Sequence, residues 1–370
     1  MPASIQEIYY LHMDFYFVQL FLILLLGGFI SILTFPPAKK NRVFLVVTFL
    51  YLYLLEGFRS LDFGNDPWYQ DLYRATDLIS WKNILHWDRY LNFKSETGYV
   101  VLNKCLNFIS NNVQLLYIFI SAVYLHSMYK YLKRYSIVPV LSVFVFYVVF
   151  WFQSFYVLRQ YLAIAMCLYA LPFVFQRNLK GFAIVMAFAF TIHQSCIVFV
   201  PVYFLYNYRI KMNVKYTIIF LVACVALLVT MKALMQFSLG FLVGYDSYLD
   251  EELESDGNFK MALVYIFFFA CYSVFAYKEK ESLEENLFFK MLGIAIMLQI
   301  AGTSFVLMQR LNLYYAISLL IVIPNTIKMM RDGWMKFGFA SFTMLLYLYI
   351  MYLDFVKDRY QIVPYSNILF

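Results

Sequence analysis

Apolar runs separated by short polar breaks, most of them basic, recur from one end of the chain to the other. A helix needs ~20 residues to cross a hydrocarbon core. On that measure the runs predict helices near 15–35, 43–58, 113–129, 138–151, 156–175, 182–191, 197–206, 216–237, 261–277, 287–308, 311–327 and 337–353. The expected fold is all-α: a polytopic membrane protein with about twelve transmembrane helices (eleven to thirteen). Two of the runs, 182–191 and 197–206, are too short. Only about 28 residues lie between Lys180 and Arg209, where two full spans need ~40. They predict a short broken hairpin with His193 at its tip, on the floor of an outward-facing cavity, because broken helices in a membrane survive only where protein or a watery cavity surrounds them.

Basic clusters stand at Lys39/Lys40/Arg42, Lys130/Lys133/Arg134, Arg177/Lys180, Arg209/Lys211/Lys215, Lys278/Lys280 and Lys328/Arg331/Lys336. All follow odd-numbered runs, so the positive-inside rule puts them together at the cytoplasm. Both termini then face outward, with a large loop at 59–112 and a second at 238–258. The large loop holds Trp68, Trp81 and Trp87, read as interfacial anchors. Its segment Glu96–Ile109 is amphipathic, with Val100, Val101, Leu102, Cys105 and Leu106 on the apolar side, and predicts a helix lying in the interface or dipping into it. The second loop carries Tyr245 and Tyr248 before an acidic tract that reads as solvated surface.

Composition narrows the class. Hydrophobic residues are 63% of the 370 and charged residues 14%, which excludes an ordinary soluble protein. No polar stretch is long enough for a separate domain, so residues 1–370 read as one transmembrane domain. The first run is long enough to stay as a helix and not be a removed signal. A net charge of +7 spread over many loops suits membrane orientation and contact with anionic lipids, not a nucleic-acid surface. The five cysteines lie in or beside apolar runs without metal-ligand spacing and read as packing.

Charge on the outward side is where chemistry is to be sought. Arg159 stands between two apolar runs, and a cation within hydrocarbon costs at least ~2.5–3.5 kcal/mol. Arg59 closes the second run and Arg310 lies between the tenth and eleventh. Three arginines at the outer edge suit a phosphate or diphosphate, whose oxygens the guanidinium fork matches. His193, Asp66 and Glu96 are candidate bases, while Asp62 or Asp66 could instead pair with Arg59. There is no Walker loop, HExxH, CxxC or dinucleotide fingerprint, and no cytoplasmic domain for ATP or a nucleotide sugar. A reaction here must use a substrate already activated and delivered through the membrane; no metal or cofactor is expected.

The ordered set Arg59, Gly64-Asn65-Asp66-x-x-Tyr69, Glu96-x-Gly98-Tyr99, Leu158-Arg159-Gln160-x-Leu162-Ala163, Ile192-His193-Gln194-Ser195 and Arg310-x-x-x-Tyr314 resembles the EpsG-type branch of Wzy-like polysaccharide polymerases. So does Ile362-Val363-Pro364-Tyr365 near the end. Asn65 stands where members commonly have Thr. The resemblance implies a glycosyltransferase of the bacterial inner membrane, working at its periplasmic or outer face. Its donor and acceptor would be undecaprenyl-diphosphate-linked oligosaccharides, polymerised into O-antigen, capsule or exopolysaccharide. It implies binding by Arg59, Arg159, Gln160, Arg310, Asp62, Tyr69, Tyr245 and Tyr248, and catalysis by His193, Asp66 or Glu96. A chain-length regulator and a flippase are family expectations as partners. The alternatives are a flippase for a lipid-linked sugar and an O-antigen ligase or acyltransferase.

Overall fold

The computed structural model describes residues 3–210, 215–224, 226, 230, 259–276, 282–303, 306–357 and 359–369. The described chain is all-helical, with no β-strand among those residues. Five helices are long and apolar enough to cross a membrane: Met13–Ile32, Pro139–Tyr156, Leu158–Phe175, Phe259–Ala276 and Gly333–Val356. Two further pairs qualify only if each bent pair is one span, Thr97–Ile109 with Gln114–Tyr135 (119°) and Leu307–Ala316 with Leu319–Met329 (46°). Among the described residues the count is thus five to seven by length and composition, and the expected twelve is not confirmed.

The difference has physical sources. Pro37–Gly57 and Leu283–Ala301 are long enough, but each carries several charges. The run at 311–327 is interrupted by a bend, and most of the run at 216–237 lies outside the described residues. The short runs stay short. One forms the 14-residue helix Leu179–Ile192, and the other the 3-10 turn Gln194–Phe199 followed by Pro201–Leu205. At ~1.5 Å per residue the first is about 21 Å long, less than a hydrocarbon thickness. These lengths match the two short runs read from the sequence. With its many apolar helices, the chain is a multi-pass membrane protein.

The described residues form two compact units, one of 1–172, 180–197 and 338–370, the other of 173–179 and 198–337. In the second, the Arg177 Nη1 donates to the Tyr203 carbonyl (3.2 Å) and the Tyr203 hydroxyl to the Arg177 carbonyl (2.9 Å). Lys290 donates to the carbonyls of Leu205 and Tyr208.

In the first unit the large loop is a folded body. Asp66–Asp77 and Thr97–Ile109 pack over one core with Tyr69, Leu72, Tyr73, Trp87, Tyr99, Val100 and Leu106 inside, joined to Leu116, Tyr117, Leu158 and Ile192 of the membrane helices. Trp87 is therefore core and not an interfacial anchor; its indole N–H donates to Thr97. Trp81 stays half exposed. The Thr97–Ile109 helix buries Val100 and Leu106 as expected and packs Val101 and Leu102 against the same core, but Asn103 and Asn107 also face inward while Cys105 faces outward. Packing against Asp66–Asp77 selects that stripe, and the Asn107 amide donates to the Tyr73 carbonyl (2.9 Å).

The helix before Arg159 runs from Pro139 to Tyr156 through a π-helical turn at Tyr147–Trp151. That turn is wholly buried and aims the Trp151 indole at Glu56 Oε2 (2.8 Å), while Ser154 reaches Oε1 (3.2 Å). A carboxylate inside a membrane helix is tolerated only when so satisfied. The helix breaks at Val157 and restarts at Leu158. Arg159 is therefore in a first helical turn, where its side chain leaves the span for the loop.

Candidate functional site

Glu96 is the hub of the site. It precedes the Thr97–Ile109 helix with extended backbone and reaches two segments that meet there. Its Oε2 accepts from Arg159 Nη1 (2.7 Å). Its Oε1 accepts from His193 Nδ1 (2.8 Å) and from the Gln194 backbone N–H (3.2 Å). Both oxygens are thus engaged, one by a guanidinium and one by an imidazole held at the break between Leu179–Ile192 and Gln194–Phe199. The three side chains retain 19%, 13% and 24% exposure for Arg159, Glu96 and His193, so the cluster lies beneath a surface it can still reach.

Arg159 is held from several sides. Nη1 also donates to Ser95 Oγ (3.2 Å) and the Lys94 carbonyl (3.4 Å). The guanidinium lies 4.5 Å from the Trp68 ring centroid and 5.7 Å from that of Tyr99, a cation–π geometry. Its buried Nε has no hydrogen-bond partner among the described residues. Burial pushes the Glu96 carboxyl up, but the bond and charge of His193, then the charge of Arg159 and the Gln194 N–H, outweigh it, leaving the group below the ordinary glutamate value. Glu96 is an anion at neutral pH, and a carboxylate facing Nδ1 selects the tautomer with its proton there.

Close approach makes the contact between loop and hairpin. A Cβ on Gly98 would strike Thr191 Oγ1 and lie 2.5 Å from Thr191 Cβ and 2.6 Å from its carbonyl oxygen. Only glycine lets Glu96 come within reach of His193.

The second constellation is closed. Arg59 has no solvent exposure, and its two terminal nitrogens meet the two oxygens of Asp66, Nη2 to Oδ1 at 2.9 Å. Its guanidinium sits 4.8–5.0 Å from the rings of Phe63, Tyr117 and Phe155. Asp66 also accepts the Phe63 N–H (2.9 Å). It is the first residue of its helix, ahead of Pro67, where a carboxylate suits the helix dipole. The turn before it needs Gly64, at φ +46, with Tyr156 2.6 Å from where a Cβ would stand. Asn65, at the position where the resembling family has Thr, donates to the Tyr156 carbonyl (3.2 Å).

Of the other sequence candidates, Tyr69 is buried beside Trp68 and Tyr99, Gln160 is buried in the Arg159 helix, and Asp62 is exposed. Arg310 belongs to the second unit, at an exposed position of Val306–Ala316. Tyr245 and Tyr248 lie outside the described residues. Among the described residues no group of three His, Cys, Asp or Glu could hold a metal. The sequence reading missed Trp68 and Ser95 as partners of Arg159. The spacing of Trp68 two residues after Asp66 was visible, but its direction depends on how the Asp66–Asp77 helix docks.

The sequence model of the EpsG family matches residues 41–367, nearly the whole chain and every motif named above. The chain belongs to the EpsG family. Members are Wzy-like polysaccharide polymerases, so polysaccharide polymerisation at a membrane is the activity against which the geometry is read. Searches of curated proteins and of solved structures return no match. The matched span covers both the Glu96 cluster and the Arg59–Asp66 pair of this EpsG-family chain.

Proposed function

We propose that the chain polymerises undecaprenyl-diphosphate-linked oligosaccharide repeat units at the periplasmic or outer face of a bacterial inner membrane, with Arg159, Glu96 and His193 as the reacting site. The observation carrying this reading is the Arg159–Glu96–His193 relay. It places a fixed cation and an oriented imidazole on one carboxylate, next to a membrane helix end. Glu96 holds the Nδ1 proton of His193, so Nε2 is the nitrogen that takes the proton of the acceptor hydroxyl. Glu96 then stabilises the imidazolium that results. The acceptor oxygen bonds to the anomeric carbon of the donor glycan as the bond from that carbon to the diphosphate oxygen breaks. Undecaprenyl diphosphate leaves with the bonding pair, and Arg159 offsets its charge. The Arg159 side chain keeps 19% exposure, through which its guanidinium suits an incoming phosphate oxygen.

Arg59 and Asp66, paired with each other and without solvent exposure, serve as the brace of the loop and not as phosphate ligand and base. Gln160, Tyr69, Asp62, Tyr245, Tyr248 and Arg310 remain candidates for glycan or diphosphate contact, with a chain-length regulator and a flippase as working partners. The test is reconstitution of purified protein with one lipid-linked repeat unit. Wild type is expected to yield a ladder of lipid-linked oligomers, and His193→Gln to lose about 10²–10⁴-fold of that rate, the usual worth of general-base catalysis. A His193→Gln ladder equal to wild type removes the imidazole from the mechanism.

A further inference from the structure

After Gly333–Val356 the chain turns back over the start of the large loop. The Tyr16 hydroxyl donates to the Ile362 carbonyl, and the Tyr365 ring stacks on Phe15 with centroids 4.2 Å apart. The Tyr365 hydroxyl donates to the Leu55 carbonyl (2.9 Å), and the Asn367 amide to the Leu54 carbonyl (3.3 Å) and the Tyr365 oxygen (2.7 Å). Asn367 forms an antiparallel bridge with Arg59. The flanking bonds are Ser60 N–H to the Ser366 carbonyl and Ile368 N–H to the Phe58 carbonyl, both 2.9 Å. The hydroxyls of Ser60 and Ser366 touch. Burial pushes the Tyr365 hydroxyl up to about 12, so it remains a neutral donor through the physiological range.

These partners have one thing in common. Leu54, Leu55 and Phe58 present carbonyls at the C-terminal end of Pro37–Gly57, which have no acceptor role left within their own helix. The segment satisfies them from outside and pins residues 58–60, the start of the turn that holds Arg59 and Asp66. Asp66 begins the helix that carries Trp68 beneath Arg159 and Tyr69 beside it. A shift of the turn therefore moves the aromatic platform of the diphosphate site.

We propose that residues 360–368 are a positioning strap: Tyr365 and Asn367 fix the turn 58–66 and, through Asp66 and Trp68, the orientation of Arg159 toward the diphosphate. The strap touches no substrate. It rests on the reading of Arg159 as the diphosphate site, and its test separates the two.

Three measurements form the experiment, in a background where the exposed thiol Cys105 is changed to Ser. First, Tyr365→Ala is expected to cut polymer output by about 10²-fold at unchanged membrane expression, the scale of a 1 Å misplacement. Second, labelling of Ser60→Cys by a bulky impermeant maleimide is expected to rise severalfold when Tyr365→Ala is added. Third, Ser60→Cys with Ser366→Cys, oxidised to a disulfide, is expected to restore the ladder in the Tyr365→Ala protein, and reductant to abolish it again. A simple loss of folding would not be reversed by one crosslink. Wild-type ladders in Tyr365→Ala, unchanged labelling, or no rescue by the disulfide each overturn the strap. Full ladders in Arg159→Ala overturn the diphosphate reading instead, and the labelling result then decides the strap alone.

Discussion

At the scale of single residues, Glu96 joins two candidates that the sequence leaves apart. Its hydrogen bonds span 63 positions to Arg159 and 97 to His193. Arg159 is legible as a cation between apolar runs, His193 as the residue between two short runs and Glu96 as the opening of an amphipathic segment, but nothing in the local pattern joins them. Arg159→Lys is expected to lower polymerisation by about 10²-fold without loss of protein in the membrane, because a point charge cannot keep both the Glu96 bond and the stacked plane on Trp68. Wild-type rates in that variant would contradict the clamp. A pH prediction follows from Glu96 lying below its ordinary value of 4.5 when folded. A depressed carboxylate adds stability that is present above the unfolded value and is lost as pH falls through the folded one. The melting temperature of purified protein should therefore drop as pH falls below about 4.5, and Glu96→Gln should flatten that part of the profile. Asp66→Ala leaves Arg59 charged, buried and unpaired, and should cost about 3–5 kcal/mol of stability; an unchanged melting temperature would sink that assignment.

At the scale of elements, what the sequence showed well was length. Basic residues on either side of 182–206 left no room for two spans, and the chain indeed forms a 14-residue helix and a 3-10 turn around His193. What it hid was facing. The Thr97–Ile109 helix has apolar residues on two sides, and docking on Asp66–Asp77 chose the side with Asn103 and Asn107 over the side with Cys105. Trp87 reads as an interfacial anchor in the sequence because tryptophan serves both roles, and only the loop's own core distinguishes them. Gly98 offers an element-level test. Gly98→Ala inserts a Cβ into Thr191 and must part the loop from the hairpin. Output of polymer should fall about 10²-fold, while Gly98→Ala combined with Thr191→Gly should recover part of it. Equal activity in Gly98→Ala and wild type would show that the Glu96–His193 contact is dispensable.

At the scale of the molecule, hydrogen bonds tell which chain positions share a side of the membrane. Ile368 donates to the Phe58 carbonyl, so the chain between them crosses the membrane an even number of times. The basic clusters predict an outward end for Pro37–Gly57, and the same side is then expected for the strap. A reporter inserted in Trp81–Arg89 and one placed after Leu369 should therefore report the same side. Opposite sides would break the bridge at Arg59. The number of spans is harder to read than their existence, since charged helices, bent pairs and short apolar segments all score as apolar runs along a sequence. The central claim is that glycan polymerisation depends on the Arg159–Glu96–His193 cluster. It is tested most directly by glycan length on a gel from a strain lacking the protein, complemented with wild type or with Arg159→Ala at equal membrane expression. The account predicts ladders with wild type and single repeat units with the variant. Ladders of equal length from both would contradict it.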